Sequence, residues 1–241
     1  VLAAHACARM GAGLVTVGTP SSVWSIVAGK CLEEMPYPLP EQDGKLSAAA
    51  YEKIMEKLRG CDAALIGPGL GRSGESDALL CRLVAEIQQP LLLDADGINA
   101  LCAQRAGRVT VLTPHDGEFA RLGGDLERTD RLTAARDFAA RWGCVLVLKG
   151  HRTIVAAPDG RAAVNTTGNS GMAKGGSGDA LSGMLLALLG QGAEPYAAAC
   201  AAVWLHGCAG DRAAQELGEV SMLPSDLIRQ IAAVVMGLQG R

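Results

Sequence analysis

Short apolar runs alternate along most of this chain with longer stretches whose apolar positions recur every three or four residues. The short runs are Leu14 to Val17, Ala63 to Ile66, Leu91 to Leu93, Val109 to Leu112, Val145 to Leu148, Thr153 to Ala157 and Ala162 to Asn165, and they predict strands. Helical periodicity covers Ser47 to Leu58, Ser76 to Ile87, Gly97 to Ala103, Gly117 to Leu122 and Arg131 to Trp142. Such alternation predicts a mainly parallel sheet covered by helices on both faces. Beyond a hairpin near Pro158-Asp159-Gly160 only helices are expected, at 174–190, 195–217 and 223–237, two of them started by Pro195 and Pro224. The segment Met35-Pro36-Tyr37-Pro38-Leu39-Pro40 reads as a loop. Val1 to Met10 reads as a helix stopped by Gly11, and a helix so early in an α/β chain implies a strand ahead of it.

Composition narrows this picture. With 241 residues, 49% hydrophobic and 20% charged, the chain can build a sizeable core, and one α/β domain over residues 1–241 is expected. A net charge of -3, without any basic stretch, excludes a nucleic-acid partner. The longest uncharged runs, Ala180 to Ala193 and Pro195 to Gly210, are parted by Glu194 and broken by polar residues; they are too short to span a bilayer, so no membrane partner is expected. The 8 cysteines show no CxxC spacing and nothing marks a signal peptide, so reduced thiols and a cytoplasmic location are expected.

In open parallel sheets ligands bind beyond the carboxyl ends of the strands. Here those positions read Gly67-Pro68-Gly69-Leu70-Gly71, Asp94-Ala95-Asp96-Gly97-Ile98-Asn99, Thr113-Pro114-His115-Asp116-Gly117-Glu118 and Lys149-Gly150-His151-Arg152-Thr153. Asn165 to Asp179 carries the densest glycine run and leads into an apolar helix. Glycines let several amides converge on one point, and a helix start adds partial positive charge, so this loop reads as an anion cradle. Asp179 stands where it could take a proton from a hydroxyl reacting at phosphorus. The plainer alternative is that Asp179 caps the helix and the glycines only make a tight turn.

Asn169-Ser170-Gly171-Met172-Ala173-Lys174-Gly175-Gly176-Ser177-Gly178-Asp179 closely resembles the signature of the ADP- or ATP-dependent NAD(P)H-hydrate dehydratases of the ribokinase-like superfamily, which are related to carbohydrate kinases. Gly67 to Gly71, Asp94 to Asn99, Thr113 to Glu118 and Lys149 to Thr153 resemble four further motifs of that family, in order. The resemblance implies a ribokinase-like three-layer α/β/α sandwich and an enzyme that dehydrates hydrated NADH or NADPH at the expense of ADP or ATP, by phosphoryl transfer and phosphate elimination. It implies Asp179 as base and the amides of Gly176, Ser177 and Gly178 as anion hole. Lys149, Gly150, His151, Arg152, Thr153, Asn169 and Gly178 would contact the nucleotide; Gly69, Gly71, Asp94, Asn99, His115 and Asp179 would contact the hydrate. Mg²⁺ would accompany the nucleotide, with Glu118 an indirect ligand or simply a favourable charge at its own helix start. A homo-oligomer is expected as well. Two departures stand out: the family's first strand and Gly-rich turn are not in this sequence, and Asp116 replaces a common proline, where its charge would favour protonated His115.

Three rival readings remain. The same aspartate and cradle would serve a small-molecule kinase acting on a vitamin precursor or sugar-like alcohol. Gly69-Leu70-Gly71-Arg72-Ser73-Gly74 spells GxGxxG and would suit a nicotinamide-dependent oxidoreductase, though it leaves the richer loop without a role. Loss of a strand would suit an inactive nucleotide-binding module. His5 and His206 lie in apolar helices and read as packed or hydrogen-bonded core residues.

Overall fold

The computed structural model describes residues 1–101 and 109–239. In chain order its elements are α1 (Leu2–Arg9), β1 (Thr16–Pro20), α2 (Trp24–Ala28), β2 (Met35–Leu39), β3 (Glu41–Gln42), β4 (Lys45–Leu46), α3 (Ala50–Leu58), β5 (Ala64–Ile66), α4 (Gly74–Glu86), β6 (Leu91–Leu93), α5 (Asp96–Leu101), β7 (Val111–Leu112), α6 (Asp116–Arg121), α7 (Arg131–Trp142), β8 (Val145–Leu148), β9 (Ile154–Ala156), β10 (Ala162–Val164), α8 (Ser177–Gly190), α9 (Pro195–Leu217) and α10 (Pro224–Gln239).

The main sheet has the order β10-β9-β8-β7-β6-β5. Strands β5 to β8 are parallel, while β9 and β10 return antiparallel. Side chains alternate across a strand, and here both sides are apolar. Leu91, Leu93, Leu112, Leu146 and Leu148 join one core with Leu83 of α4 and Phe138 of α7. Leu92, Val111, Val145 and Val147 join a second core with Ala6 of α1, Met184 of α8, Ala202 of α9 and Ile228 of α10. Two helical layers therefore sandwich the sheet, as expected, and each fully buried aliphatic side chain contributes about 1.5–3 kcal/mol. Helix α1 lies in backbone contact with α8: a Cβ on Gly183 would stand 1.9 Å from the Ala3 carbonyl oxygen.

Several boundaries differ from expectation. The Pro-rich segment is strand β2, paired in parallel with β1. Prolines are tolerated there because Pro36 and Pro38 alternate with residues whose N–H faces the partner, as Met35 N–H donates to Val15 O at 2.8 Å. The expected strand at Leu14 to Val17 slides to Thr16–Pro20, leaving Leu14 83% exposed. Helix α2 and the β3–β4 hairpin have no counterpart in the sequence reading. The last two residues of the expected helix Gly97 to Ala103 lie outside the described residues. Among the described residues no helix is long and apolar enough to cross a membrane.

Candidate active site

The carboxyl ends of β5 to β8 share one edge of the sheet, so the loops expected to carry chemistry meet there. The first two pack backbone to backbone. Gly67 has φ +134, and a Cβ on it would stand 1.7 Å from the Asp94 carbonyl oxygen; only glycine fits. Asp94 is 1% exposed. Its Oδ1 accepts from Lys149 Nζ at 2.7 Å and from the Ala95 N–H at 2.9 Å, and its Oδ2 accepts from Ser182 Oγ at 2.7 Å. Lys149 also lies 3.9 Å from Glu118 Oε2, so one ammonium links two buried carboxylates.

Glu118 is oriented by the cap of α6. Its Oε2 accepts the His115 N–H at 2.9 Å, while His115 Nδ1 accepts the N–H groups of Gly117 and Glu118. This reciprocal arrangement leaves His115 Nε2 3.5 Å from Glu118 Oε1. Asp116 turns the other way, onto Arg131 Nη1 at 2.5 Å, and its charge is met there instead of by His115 as expected. Arg131 also donates through Nη2 to the Lys149 carbonyl at 2.7 Å, clasping the end of β8 from the start of α7.

The glycine-rich loop leads from β10 into α8, which packs in the core opposite that of α7. Gly176, at φ +97, turns the chain into α8. The N–H groups of Gly176, Gly178 and Asp179 make no hydrogen bond among the described residues, whereas the Ser177 N–H donates to Lys174 O at 3.2 Å. Three amides at a helix start thus remain free for an anion. Asp211 holds the opening of the loop, accepting from the Gly168 N–H at 2.9 Å and from Asn169 Nδ2 at 3.0 Å. A Cβ on Gly178 would stand 3.4 Å from Lys149 Nζ and 3.9 Å from Asp94 Oδ2, so the cradle and the buried ion pair adjoin. Burial raises the Asp179 pKa above the ordinary carboxylate value. The Asp94 charge raises it further, and Lys149 pulls the other way.

Asp94, His115, Glu118, Lys149, Gly178 and Asp179 therefore form one connected neighbourhood. Gly71 joins its edge, donating its N–H to Asp96 Oδ2 at 2.9 Å, while Gly69 is at φ +66 in the same turn. Asn99 instead offers Oδ1 to Arg121 at 2.9 Å. Gly150 and Thr153 close a turn through the Thr153 hydroxyl at 3.1 Å, with His151 and Arg152 exposed. The start of α4, where GxGxxG would seat a phosphate, is already capped by Ser73 and Ser76. Sequence reading missed Ser182, Arg131 and Asp211. Ser182 follows Asp179 by one helical turn, and that spacing was its only signal.

Comparison with known proteins shows the family of the chain. A family model described as NAD(P)H-hydrate dehydratase matches residues 1–233. The chain is 43% identical to the bifunctional NAD(P)H-hydrate repair enzyme Nnr of Moorella thermoacetica over 99% of its own length and 47% of that protein. It is 35% identical to the ADP-dependent (S)-NAD(P)H-hydrate dehydratase of Neisseria meningitidis, covering 100% of this chain and 80% of that one. The chain thus spans about half the length of the bifunctional relatives it matches. Among solved structures, a ribokinase-like superfamily protein from Enterococcus faecalis superposes with a TM-score of 0.85 at 28% identity, over 98% of this chain and 81% of that one. The ADP/ATP-dependent NAD(P)H-hydrate dehydratase from Bacillus subtilis, co-crystallized with ATP/Mg²⁺, gives 0.79 at 30% identity, over 98% and 85%.

Proposed function

Because the chain belongs to the NAD(P)H-hydrate dehydratase family, we propose that it restores hydrated NADH or NADPH by a phosphoryl transfer from ADP or ATP followed by loss of phosphate. The observation that carries this reading is the row of free amides at Gly176, Gly178 and Asp179 beside a carboxyl whose pKa is raised. The hydrate's ring hydroxyl would lie against Asp179, which takes the proton as the oxygen attacks the terminal phosphorus of the nucleotide. The amides of Gly176 and Gly178 hold the transferring oxygens, with Ser177 completing the turn that presents them. The phosphate ester then leaves as inorganic phosphate, the neighbouring ring carbon gives up a proton, and the ring double bond returns.

Lys149, Gly150, His151, Arg152, Thr153 and Asn169 are assigned to the nucleotide, and Gly69, Gly71, Asp94, Asn99 and His115 to the hydrate. For Lys149 and Asp94 the contact is through the field of their ion pair, since both polar groups face one another at 2.7 Å. Glu118 suits Mg²⁺ held through water: it is buried and its Oε2 is already oriented by the His115 N–H, and this ion keeps most of its waters. When bound, Mg²⁺ would offset the charge of the nucleotide phosphates. Support for nucleotide use comes from the Neisseria and Bacillus relatives. We also assign residues 1–241 to one domain, in the cytoplasm, self-associating.

The test is to incubate the protein with hydrated NADH and ADP or ATP and follow the nicotinamide absorbance together with nucleotide cleavage. Recovery of absorbance in step with nucleotide consumption is expected. A stable phosphorylated product without recovery would instead make the protein a small-molecule kinase.

A further inference from the structure

The cradle rests on α9. Along one face of that helix, Gly207 and Gly210 touch the glycine-rich loop so closely that a Cβ on either would stand 2.1 Å from Thr167 Oγ1 or 2.3 Å from Met172 Sδ. The same face presents Asp211, which holds Gly168 and Asn169, and His206. His206 is 9% exposed, and its Nε2 lies 2.9 Å from the Ser177 carbonyl oxygen. A carbonyl only accepts, so Nε2 carries the proton. Burial pushes the His206 pKa down to about 4, so the neutral ring has a single N–H and spends it here.

Ser177 O does not need this bond. As the carbonyl of the first residue of α8 it is paired by the helix with the N–H four residues on. What His206 adds is control of a plane. The peptide bond is planar and trans, so the Ser177 C=O and the Gly178 N–H point in opposite directions along one rigid unit. The Ser177 N–H is also held, by Lys174 O, and the residue is pinned on both sides. A donor on the carbonyl further polarises the amide and strengthens what its N–H donates.

We propose that His206 is a positioning residue of the cradle: by gripping the Ser177 carbonyl it aims and polarises the Gly178 N–H at the transferring phosphoryl group. This rests on the cradle's assignment under the proposed function. The test compares His206→Leu with His206→Gln, whose side-chain amide keeps an N–H donor at a similar reach. Turnover, nucleotide KM and melting temperature are measured for each. In ¹⁵N-labelled protein the Gly178 amide resonance is followed with and without inorganic phosphate. Removing a direct oxyanion donor lowers kcat roughly 10²–10³-fold; removing its support should lower kcat about 10-fold or more in His206→Leu, with nucleotide KM changing far less. The Gly178 amide proton should move upfield and respond weakly to phosphate. His206→Gln should recover most of both effects.

Equal losses of kcat in the two variants, or a His206→Leu protein with unchanged kcat and Gly178 resonance, would overturn the proposal. If His206→Leu fails to fold, His206→Asn, whose donor is one methylene shorter, takes its place in the comparison. If the wild-type protein binds phosphate at Gly178 yet dehydrates nothing, the functional reading fails while the resonance comparison still decides the role of His206.

Discussion

Replacing Lys149 by methionine removes one charge and should register in two independent measurements. The Asp94 carboxylate, 1% exposed, would lose the ammonium 2.7 Å away and keep as donors, among the described residues, Ser182 Oγ and the Ala95 N–H. Breaking a buried pair from one side costs about 3–5 kcal/mol. Two surviving donors place Lys149→Met near the lower end, about 3 kcal/mol, or a fall in melting temperature of roughly 6–12 °C for a chain of this size. Adding Asp94→Asn should return much of the loss, because the stranded charge is then gone. The second measurement is the pH dependence of kcat/KM. Asp179 must be ionised to act as base, so activity falls as pH drops through its pKa. That pKa is raised by burial and by Asp94 and held back by Lys149. Lys149→Met should therefore move the acidic limb to higher pH, and Asp94→Asn should move it lower. Limbs that shift in the same direction, or a Lys149→Met protein of unchanged stability, would refute this electrostatic arrangement.

Three further substitutions have definite expected outcomes. Asp179→Asn should keep nucleotide affinity, measured by calorimetry, while turnover falls about 10²–10⁴-fold. Since the folded-state pKa of Asp179 lies above the unfolded one, its ionisation opposes folding at neutral pH, and Asp179→Asn should melt higher at pH 7 with the gain vanishing below about pH 4. Gly183→Ala would ordinarily favour a helix by about 1 kcal/mol, yet its methyl would meet the Ala3 carbonyl at 1.9 Å, so a lower melting temperature is expected and a higher one would show that α1 yields easily. Arg131→Lys cannot hold Asp116 and the Lys149 carbonyl together. A charged hydrogen bond contributes about 1.5–3 kcal/mol, so nucleotide KM should rise about 10-fold with kcat little changed; a fall in kcat alone would deny Arg131 a role in shaping that loop.

The buried centre of the fold was the most legible part. Strands covered on both faces appear as unbroken apolar runs, and Leu91–Leu93 and Val145–Leu148 have the bounds their sequence suggests. Helix Arg131–Trp142 does too, because Asp130 caps its start and Gly143, at φ 66, ends it. Legibility failed where a partner decides the structure. Pro36 and Pro38 argue against a strand until pairing with β1 engages the residues that alternate with them, as at Met35. The β3–β4 hairpin turns at Asp43-Gly44, a recognisable signal, but two residues on each side are too few to show alternation.

The candidate site divides along the same line. Its loops could be listed from the chain because glycines and polar groups follow each strand, but their pairings join residues far apart in sequence, such as Lys149 with Asp94 and Ser182 with Asp94. Periodicity tells which face a residue occupies and says nothing of what lies across from it. Asp116 shows the consequence: beside His115 in sequence, it is held by Arg131 in space, because the cap of α6 turns the two side chains apart. The same reasoning explains why Ser177 and Gly178, adjacent in the chain, differ in use. The N–H of Ser177 closes the turn onto Lys174 while that of Gly178 is free, and it is the conformation of Gly176, open to glycine and strained for any other residue, that separates the two.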